Sequence, residues 1–144
     1  MLTSSATIKV RDVMTPNPVA LPSSASVSDA AKAMRDSNIG AVVVDDGNAI
    51  CGIVTDRDVV VRAIAAGKDP NKVKLEEICS RELTGLSPDD GLDRAVQIMK
   101  DKAIRRLPVV DGTRAVGIVS LGDLAQRLDR SSVLGEISSA TPNR

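Results

Sequence analysis

The sequence reads Gly52-Ile53-Val54-Thr55-Asp56-Arg57-Asp58 in its first half, and a related stretch, Gly117-Ile118-Val119-Ser120-Leu121-Gly122-Asp123, follows sixty-five residues later. The same offset relates residues 9–62 to residues 74–127 without a gap. An internal repeat of this length indicates two copies of one supersecondary unit, neither of which buries its apolar face well alone. We therefore predict a mixed α/β (α+β) fold in which two tandem repeats share one core and pack with pseudo-two-fold symmetry.

Each repeat shows the same order of secondary-structure signals, namely a short lead-in strand followed by helix, strand, strand and helix. Runs of β-branched and apolar residues at 41–44 and 50–55 flank a turn that contains Asp-Gly, and so do the runs at 107–110 and 115–120. Asp-Gly between such runs predicts a β-hairpin. Gly67 predicts the end of the first closing helix, because glycine readily adopts the left-handed conformation found just after helices.

The chain divides into five segments by composition and by the limits of the repeat. The repeats occupy 8–67 and 74–129, and the short stretch 68–73 is predicted to link them. Residues 1–7 are polar and lack periodicity, so we expect a mobile lead. Residues 130–144 form a C-terminal tail.

The first long helix of each repeat follows acidic and hydroxyl residues that predict helix capping. In the first copy Ser26 and Asp29 stand three positions apart, as in a capping box. In the second copy Asp90 and Asp93 can play these parts, one position earlier than the offset predicts. Apolar residues at helical spacing follow both pairs, so each helix is expected to turn one face toward the core.

Charge and composition exclude several classes of function. Nineteen acidic and nineteen basic residues cancel, which leaves no bulk positive field for nucleic acid and no excess charge for a membrane surface. The chain has no aromatic residue and no His, so it lacks the stacking platform of RNA-binding proteins, the commonest general base and the commonest metal ligand. We therefore predict neither an enzyme nor a metal site. Two cysteines and the lack of an N-terminal signal segment favour a cytoplasmic location.

The two related stretches each end in a hydroxyl residue and an Asp three positions later, where a buried strand meets a helix. Thr55 with Asp58, and Ser120 with Asp123, are predicted to form capping boxes, which need no function beyond folding. The same geometry suits a ligand, because free N–H groups at a helix start favour an anion and a carboxylate can accept from vicinal ribose hydroxyls. Both interpretations stay open at this point.

The sequence closely resembles the family of cystathionine beta-synthase (CBS) domain pairs, or Bateman modules, over residues 8–128. The resemblance rests on the entry Asp12-Val13-Met14-Thr15-Pro16, on the run Ile104-Arg105-Arg106-Leu107-Pro108-Val109-Val110-Asp111 and on both Gly-h-h-Thr/Ser-x-x-Asp stretches. The layout is similar to stand-alone bacterial CBS-pair proteins of the hypoxic response type. The resemblance implies a regulatory, non-enzymatic module that binds AMP, ADP, ATP, NAD or S-adenosylmethionine in clefts between the repeats, with no required cofactor.

The resemblance also implies which residues contact the ligand. Asp58 and Asp123 would accept hydrogen bonds from ribose hydroxyls, and Thr55 and Ser120 would contact ribose or phosphate. The further candidates are three arginines for phosphate, Arg57, Arg105 and Arg106, and three aliphatic residues for the adenine, Val19, Ile39 and Leu107. Gly40, Ala41 and Pro108 complete the set of candidate ligand-binding residues. Arginine suits phosphate because its planar fork holds two oxygens and keeps its charge.

The charged residues differ more between the two repeats than the residues that define the strands, turns and helices. Arg105 and Arg106 have Gly40 and Ala41 as their equivalents in the first copy, so we expect two unequal clefts. The cleft that uses Asp58 with the two arginines is expected to prefer phosphate. A solvated helix end, where cations complement the C-terminal dipole, explains the same arginines without any ligand.

A second class of function stays open, namely a structural or stress-response protein that serves oligomerisation and has vestigial, ligand-free clefts. A hydrolase or transferase is disfavoured, because the chain has no His and no evident acid/base pair. CBS pairs associate through exposed helices, so the resemblance implies a homodimer. Apolar residues on the first closing helix, such as Val60 and Ile64, agree with that expectation, but the same residues could equally complete the internal core. A regulatory role would further require a separate effector protein, since no output domain is visible.

Overall fold

The computed structural model describes residues 8–47, 49–79 and 85–128, and the chain divides into two compact units. Residues 18–83 form one of them, which we call the continuous unit. The other, which we call the composite unit, combines residues 1–17 with residues 84–144. The predicted lead over 1–7 and the predicted tail over 130–144 lie outside the described residues.

The described elements alternate as the repeat predicts, and the expected mixed α/β class is confirmed. In chain order they are a 3₁₀ turn (Val10–Asp12), β1 (Thr15–Pro16), β2 (Ala20–Leu21), α1 (Val27–Ser37), β3 (Ala41–Asp45), β4 (Ile50–Thr55), α2 (Asp56–Asp58), a π-helix (Val59–Ile64), a second 3₁₀ turn (Leu75–Glu77), α3 (Leu92–Lys102), β5 (Arg106–Asp111), β6 (Arg114–Ser120) and α4 (Leu121–Leu128). None of the described helices is long and apolar enough to cross a membrane.

Each unit contains one of the predicted hairpins in a three-stranded sheet. In the continuous unit β3 pairs antiparallel with β4 and parallel with β2. In the composite unit β6 pairs antiparallel with both β5 and β1. Gly47 and Gly112 lie in the hairpin turns with φ of 97° and 66°, a backbone region that residues with a side chain rarely adopt. The Asp-Gly signals therefore located both turns correctly.

The lead-in segments are exchanged between the two sequence repeats. Lys9 forms a bridge with Gly91, and the Val10 amide donates to the Asp90 carbonyl over 2.8 Å, so the start of the first repeat completes the composite unit. In the same way Lys74 bridges to Ser26 and completes the continuous unit. The compact units therefore differ from the sequence repeats 8–67 and 74–129. Each unit takes its lead-in segment from the other repeat.

The buried apolar side chains form two separate clusters, so the prediction of one shared core is wrong. The cluster of the continuous unit contains Val27, Ala30, Met34, Val42, Val44, Val54, Ala63, Val73, Leu75, Ile78 and Cys79. The cluster of the composite unit contains Val10, Leu86, Leu92, Ala95, Ile98, Met99, Leu107, Val109, Val119 and Leu124. The exchanged lead-in segments explain why there are two clusters. The segment of each repeat supplies buried residues, such as Val10 and Leu75, to the unit that contains the other repeat's hairpin.

The long helices begin differently in the two units. At α1 the predicted capping box is confirmed, because the Asp29 amide donates to Ser26 Oγ over 3.0 Å and the Ser26 amide donates to Asp29 Oδ2 over 3.2 Å. At α3 the predicted box of Asp90 and Asp93 is wrong. The helix follows Gly91, which has no side chain to cap it, and the Asp90 carboxylate instead accepts from the Ser87 amide over 2.8 Å.

The closing helices also differ in geometry. In the continuous unit α2 is a single turn that continues as the π-helix, where the Ala65 amide donates to the Val60 carbonyl over 2.8 Å. This bond spans five residues, as in π-helices generally. The chain then leaves the helix through Gly67, whose φ of 73° agrees with the predicted stop. In the composite unit α4 is regular over its described length.

Candidate functional site

The candidate site consists of two strand–helix junctions, one in each unit. We call residues 55–58 the continuous-unit junction, where β4 passes into α2, and residues 120–123 the composite-unit junction, where β6 passes into α4. Alternate residues of both strands are buried, among them Val54 and Val119. This burial anchors each strand end, so the hydroxyl and the following helix turn are held at a defined position.

Both junctions form reciprocal capping boxes of nearly identical dimensions. The Thr55 amide donates to Asp58 Oδ2 over 2.9 Å, and the Asp58 amide donates to Thr55 Oγ1 over 3.1 Å. The corresponding distances between Ser120 and Asp123 are 2.8 and 3.1 Å. The capping prediction is confirmed in both copies. Each box uses only Oδ2 of its carboxylate, which leaves Oδ1 for other partners.

The Oδ1 atoms of the two carboxylates, which we call the outer oxygens because the capping boxes do not use them, have different surroundings. Asp58 Oδ1 lies 3.7 Å from Nε of Arg62, and Nη1 of the same arginine donates to the Ile78 carbonyl over 3.2 Å. Arg127 stands at the same spacing from Asp123, but within the described parts of the chain Asp123 forms no salt bridge. Among the described residues, therefore, only the continuous unit holds its junction carboxylate with a cation.

The neighbouring strand brings the other candidate residues to the junction of their own unit. Arg106 lies opposite Ser120 in the register of β5 and β6, and the Arg105 carbonyl accepts from the Leu121 amide over 2.9 Å. In the continuous unit Ala41 lies opposite Thr55, and the Gly40 carbonyl accepts from the amide of the first α2 residue over 3.0 Å. The two arginines therefore flank the composite-unit junction.

The charged residues near the two junctions differ. The continuous-unit junction contains Asp56 and Asp58 with Arg57, which is exposed and whose amide donates to Asp56 Oδ1 over 2.8 Å. In the composite unit Arg105 is exposed and Arg106 is half-buried. Because Asp58 and the two arginines belong to different units, their predicted pairing in one phosphate-binding cleft stays a prediction.

The predicted adenine contacts divide by burial. Val19 and Ile39 are half-buried, so part of each side chain is exposed to solvent. Leu107 is fully buried in the core of the composite unit, and its predicted contact with the ligand stays a prediction. Pro108 is also buried, and its carbonyl already accepts from the Leu86 amide over 3.0 Å.

A polar cluster in the continuous unit escaped the sequence analysis. Asp46 Oδ1 accepts from the Ser23 amide over 2.8 Å, and Oδ2 accepts from Ser23 Oγ over 2.9 Å and from Cys51 Sγ over 3.1 Å. These bonds hold the pKa of Asp46 below its ordinary value, with the Ser23 amide as the largest cause. The Asp46 carboxylate in turn raises the pKa of the Cys51 thiol.

The repeat comparison contained a signal for this cluster, because Pro88 and Val116 stand at the equivalents of Ser23 and Cys51. Cys79, by contrast, is buried in the core as a small apolar residue, as predicted. Over the described ranges, no group of three or more Cys, Asp or Glu side chains is placed to hold a metal ion.

Comparison with known proteins connects both junctions to one family. The model of the CBS domain matches the chain twice, at residues 10–64 and 75–130. Each match ends beyond the junction of its repeat, so the matched segments include both capping boxes.

Two similar proteins match over most of their own length. The CBS domain-containing protein YhcV of Bacillus subtilis is 39% identical over 116 residues, which are 81% of this chain and 82% of that protein. Hypoxic response protein 1 of Mycobacterium tuberculosis is 30% identical over 125 residues, covering 86% of this chain and 87% of that protein. Among solved structures, the CBS domain pair of protein MJ0100 in complex with 5′-methylthioadenosine and S-adenosyl-L-methionine has a TM-score of 0.76 and 29% identity, and the alignment covers 87% of this chain and 98% of that one.

Proposed function

The chain belongs to the CBS domain family, and we propose that it is a regulatory module that binds an adenosine-containing small molecule at its strand–helix junctions. The observation that carries this proposal is the duplicated box in which a hydroxyl, a carboxylate with an outer oxygen and the start of a helix converge. The complex of protein MJ0100 with two adenosyl compounds supports the choice of ligand class.

Each group at a junction has a role that matches this class of ligand. The outer oxygen of Asp58 or Asp123 accepts hydrogen bonds from the ribose hydroxyls, while the inner oxygen keeps its cap. The hydroxyl of Thr55 or Ser120 donates to ribose or phosphate. The helix start and, in the composite unit, the arginines on β5 supply positive potential for phosphate oxygens. The half-buried Val19 and Ile39 are aliphatic candidates for contact with adenine in the continuous unit.

We further propose that the module is not an enzyme and acts by changing the state of a separate protein. A ligand can produce such a change only by binding two states with different affinity. The relative named hypoxic response protein 1 supports a role in a stress response, and a cytoplasmic location fits the two free thiols. We propose a homodimer as the acting form. Val60, Val61 and Ile64 on the π-helix are 46 to 58% exposed and supply apolar surface for it.

Two observations favour a second function, in which the chain is an oligomerisation protein without a ligand. The capping boxes account for the conformation of both junctions, and the exposed apolar side chains of the π-helix account for association. Under this alternative the wild-type chain shows no response to any ligand, and removing the carboxylates changes only its stability.

The proposal is tested by a thermal-shift series on the intact chain with adenosine, AMP, ADP, ATP, NAD and S-adenosylmethionine. We expect at least one ligand to raise the melting temperature, because a ligand at 100 times its Kd stabilises the folded state by about 2.7 kcal/mol. Since the chain contains no Trp or Tyr, absorbance at 260 nm of the purified protein also reports co-purified nucleotide against little protein background. No shift with any ligand, together with no heat in calorimetry, overturns the proposal.

A further inference from the structure

We propose that the lead-in segment of one chain, residues 8–17, also completes the composite unit of a second copy of the chain, with Asn17 as the hinge. The product is a domain-swapped dimer. It contains the same composite unit as the closed chain, but builds that unit from two chains. This association needs no ligand and does not use the π-helix, so it goes beyond the proposed function.

The composite unit holds the lead-in segment by noncovalent contacts along its length. Val10 is fully buried in the core cluster of the unit. The Arg11 amide donates to the Pro88 carbonyl over 3.0 Å, and Thr15 on β1 lies opposite Ile118 on β6. None of these contacts depends on the peptide bond that joins residues 17 and 18. The same segment of another chain therefore makes them equally well.

Charge identifies the occupant of a composite unit that has released its own segment. Arg11 forms an ion pair with Asp89, and Nζ of Lys9 lies 3.6 Å from the same carboxylate. The released unit exposes an apolar site for Val10 beside an acidic residue that has lost two cations. The lead-in segment of a second copy matches this surface in shape and in charge.

Asn17 favours opening because the closed chain holds it in an unfavourable conformation. Its φ is 53°, in the left-handed region that residues with a Cβ disfavour, although Asn tolerates it better than most. It also precedes Pro18, and the residue before a proline prefers an extended backbone. Both preferences favour an extended hinge, and a strained short hinge promotes domain swapping.

The place of the turn is also defined. The Asn17 amide donates to the Val116 carbonyl over 3.2 Å, so the segment is anchored to the composite unit up to this residue. Asn17 is exposed, so a change of its conformation disrupts no core packing. The swap therefore requires a new backbone conformation at one surface residue and retains the contacts of the segment.

The test uses two full-length variants in which the native thiols are removed by Cys51→Ser and Cys79→Ala. One chain carries Thr15→Cys and the other carries Ile118→Cys. The two are unfolded and refolded together at high concentration, and diamide then oxidises thiols that lie side by side. Each chain has a single thiol, so these two variants become linked in register only where the lead-in segment of one chain lies on β6 of the other.

The matched control replaces the second variant by Thr113→Cys, which is exposed in the hairpin turn and is not a register partner of β1. We expect the register pair to give at least about five times as much covalent heterodimer as the control pair, because the swap holds its thiols at a high effective concentration. A melting scan verifies that each variant folds.

The role of the hinge is tested by placing Asn17→Gly or Asn17→Val in both chains of the register pair. Glycine adopts a positive φ readily, so it stabilises the closed chain and should lower the heterodimer yield by about threefold. Valine is β-branched and disfavours a positive φ strongly, so it should raise the yield.

A charge-reversal pair keeps the test decisive if Ile118→Cys fails to fold. One chain carries Arg11→Asp and the other carries Asp89→Arg, both at exposed positions. Each closed chain then brings like charges together, whereas a swapped heterodimer pairs opposite charges at both of its composite units. Native mass spectrometry should show more heterodimer than random pairing gives, and the excess should shrink in high salt.

Three results would overturn the inference. They are equal yields from the register and control pairs, equal yields from Asn17→Gly and Asn17→Val, and random pairing of the charge-reversed chains, which is the result expected for association through the π-helix alone. Ligand binding enters none of these measurements, so the proposed function is tested separately.

Discussion

At the residue scale, spacing predicts the capping role of the junction aspartates but not the partner of their outer oxygens. Both copies place an arginine four residues after the aspartate, yet in the part of the chain that the structure describes the ion pair forms only beside Asp58. The reason lies outside the repeat motif, because Arg62 is anchored by a second acceptor, the Ile78 carbonyl, from the exchanged lead-in segment. A contact with a segment far along the chain cannot be derived from local spacing.

Gly117 provides a prediction about packing at this scale. A Cβ added to this buried glycine would meet the Met14 sulfur, with the Thr15 carbonyl oxygen 3.0 Å away. We expect Gly117→Ala to lower the free energy of unfolding by about 1 to 3 kcal/mol, because overpacking forces neighbours to move. Chemical denaturation followed by circular dichroism measures the change.

The matched control adds Met14→Ala to the same chain. Removing the long side chain opens space for the new methyl group, so the double variant should lose less stability than the sum of the two single variants. Strict additivity of the two losses would show that Met14 does not restrict position 117.

Asp46 provides a prediction about acid stability. Its hydrogen bonds, the Ser23 amide first, hold the pKa of the carboxylate below its ordinary value of 3.8 in the folded state. A group with a lowered folded pKa stabilises the protein above its ordinary pKa, and this contribution disappears as the pH falls through the folded value. The melting-temperature difference between wild type and Asp46→Asn should therefore be present at pH 7 and shrink below about pH 4.

Asp111→Asn is the control for this experiment, because it removes the same charge at the equivalent turn of the other hairpin. Its melting temperature is measured over the same pH range, which separates the loss of the Asp46 hydrogen bonds from the general effect of removing one charge. An Asp46→Asn difference that is constant from pH 7 to pH 3 would contradict the role assigned to the carboxylate.

At the element scale, periodicity located α1 and α3, but the start of α3 was predicted wrongly. Both helices turn an apolar stripe to their core, and hydrophobic spacing is sufficient to predict that. Asp90 satisfies the sequence pattern of a cap, but the Ser87 amide, also nearby in sequence, uses its carboxylate instead. When two amides lie near one carboxylate, the backbone conformation determines which amide donates to it. The sequence pattern alone does not specify that conformation.

The confirmed cap at α1 is worth a measurable amount of stability. Ser26→Ala removes the acceptor for the Asp29 amide and should lower the free energy of unfolding by about 1 kcal/mol. Ser26→Gly is the matched control and should cost only a few tenths of a kcal/mol relative to Ser, since glycine is itself tolerated before a helix. Equal losses in both variants, measured by urea denaturation, would argue against the cap.

At the scale of the whole molecule, the duplication and the fold class follow from the sequence, but the exchange of lead-in segments does not. The repeat offset shows which residues of the two repeats are equivalent. It does not show into which compact unit each lead-in segment packs. The bridges of Lys9 to Gly91 and of Lys74 to Ser26 are contacts across a long stretch of chain, so no local signal marks them.

The exchange predicts which fragments fold. A fragment of residues 18–83 contains the whole continuous unit, whereas the sequence repeat 8–67 lacks four residues of its core, Val73, Leu75, Ile78 and Cys79. We expect cooperative thermal unfolding, followed by circular dichroism, for fragment 18–83 and none for fragment 8–67. The reverse result would show that the sequence repeats, and not the compact units, are the folding units.

The central claim is that adenosyl ligands bind at the strand–helix junctions, and amide chemical shifts test it most directly. Two-dimensional NMR spectra of the ¹⁵N-labelled chain, recorded during titration with each ligand of the thermal-shift series, report every backbone amide at once. The account predicts that the largest shifts caused by a bound ligand fall at the junction residues 55–58 or 120–123. A bound ligand that leaves these amides unchanged, or that shifts only the exposed π-helix at Val59–Ile64, would contradict it.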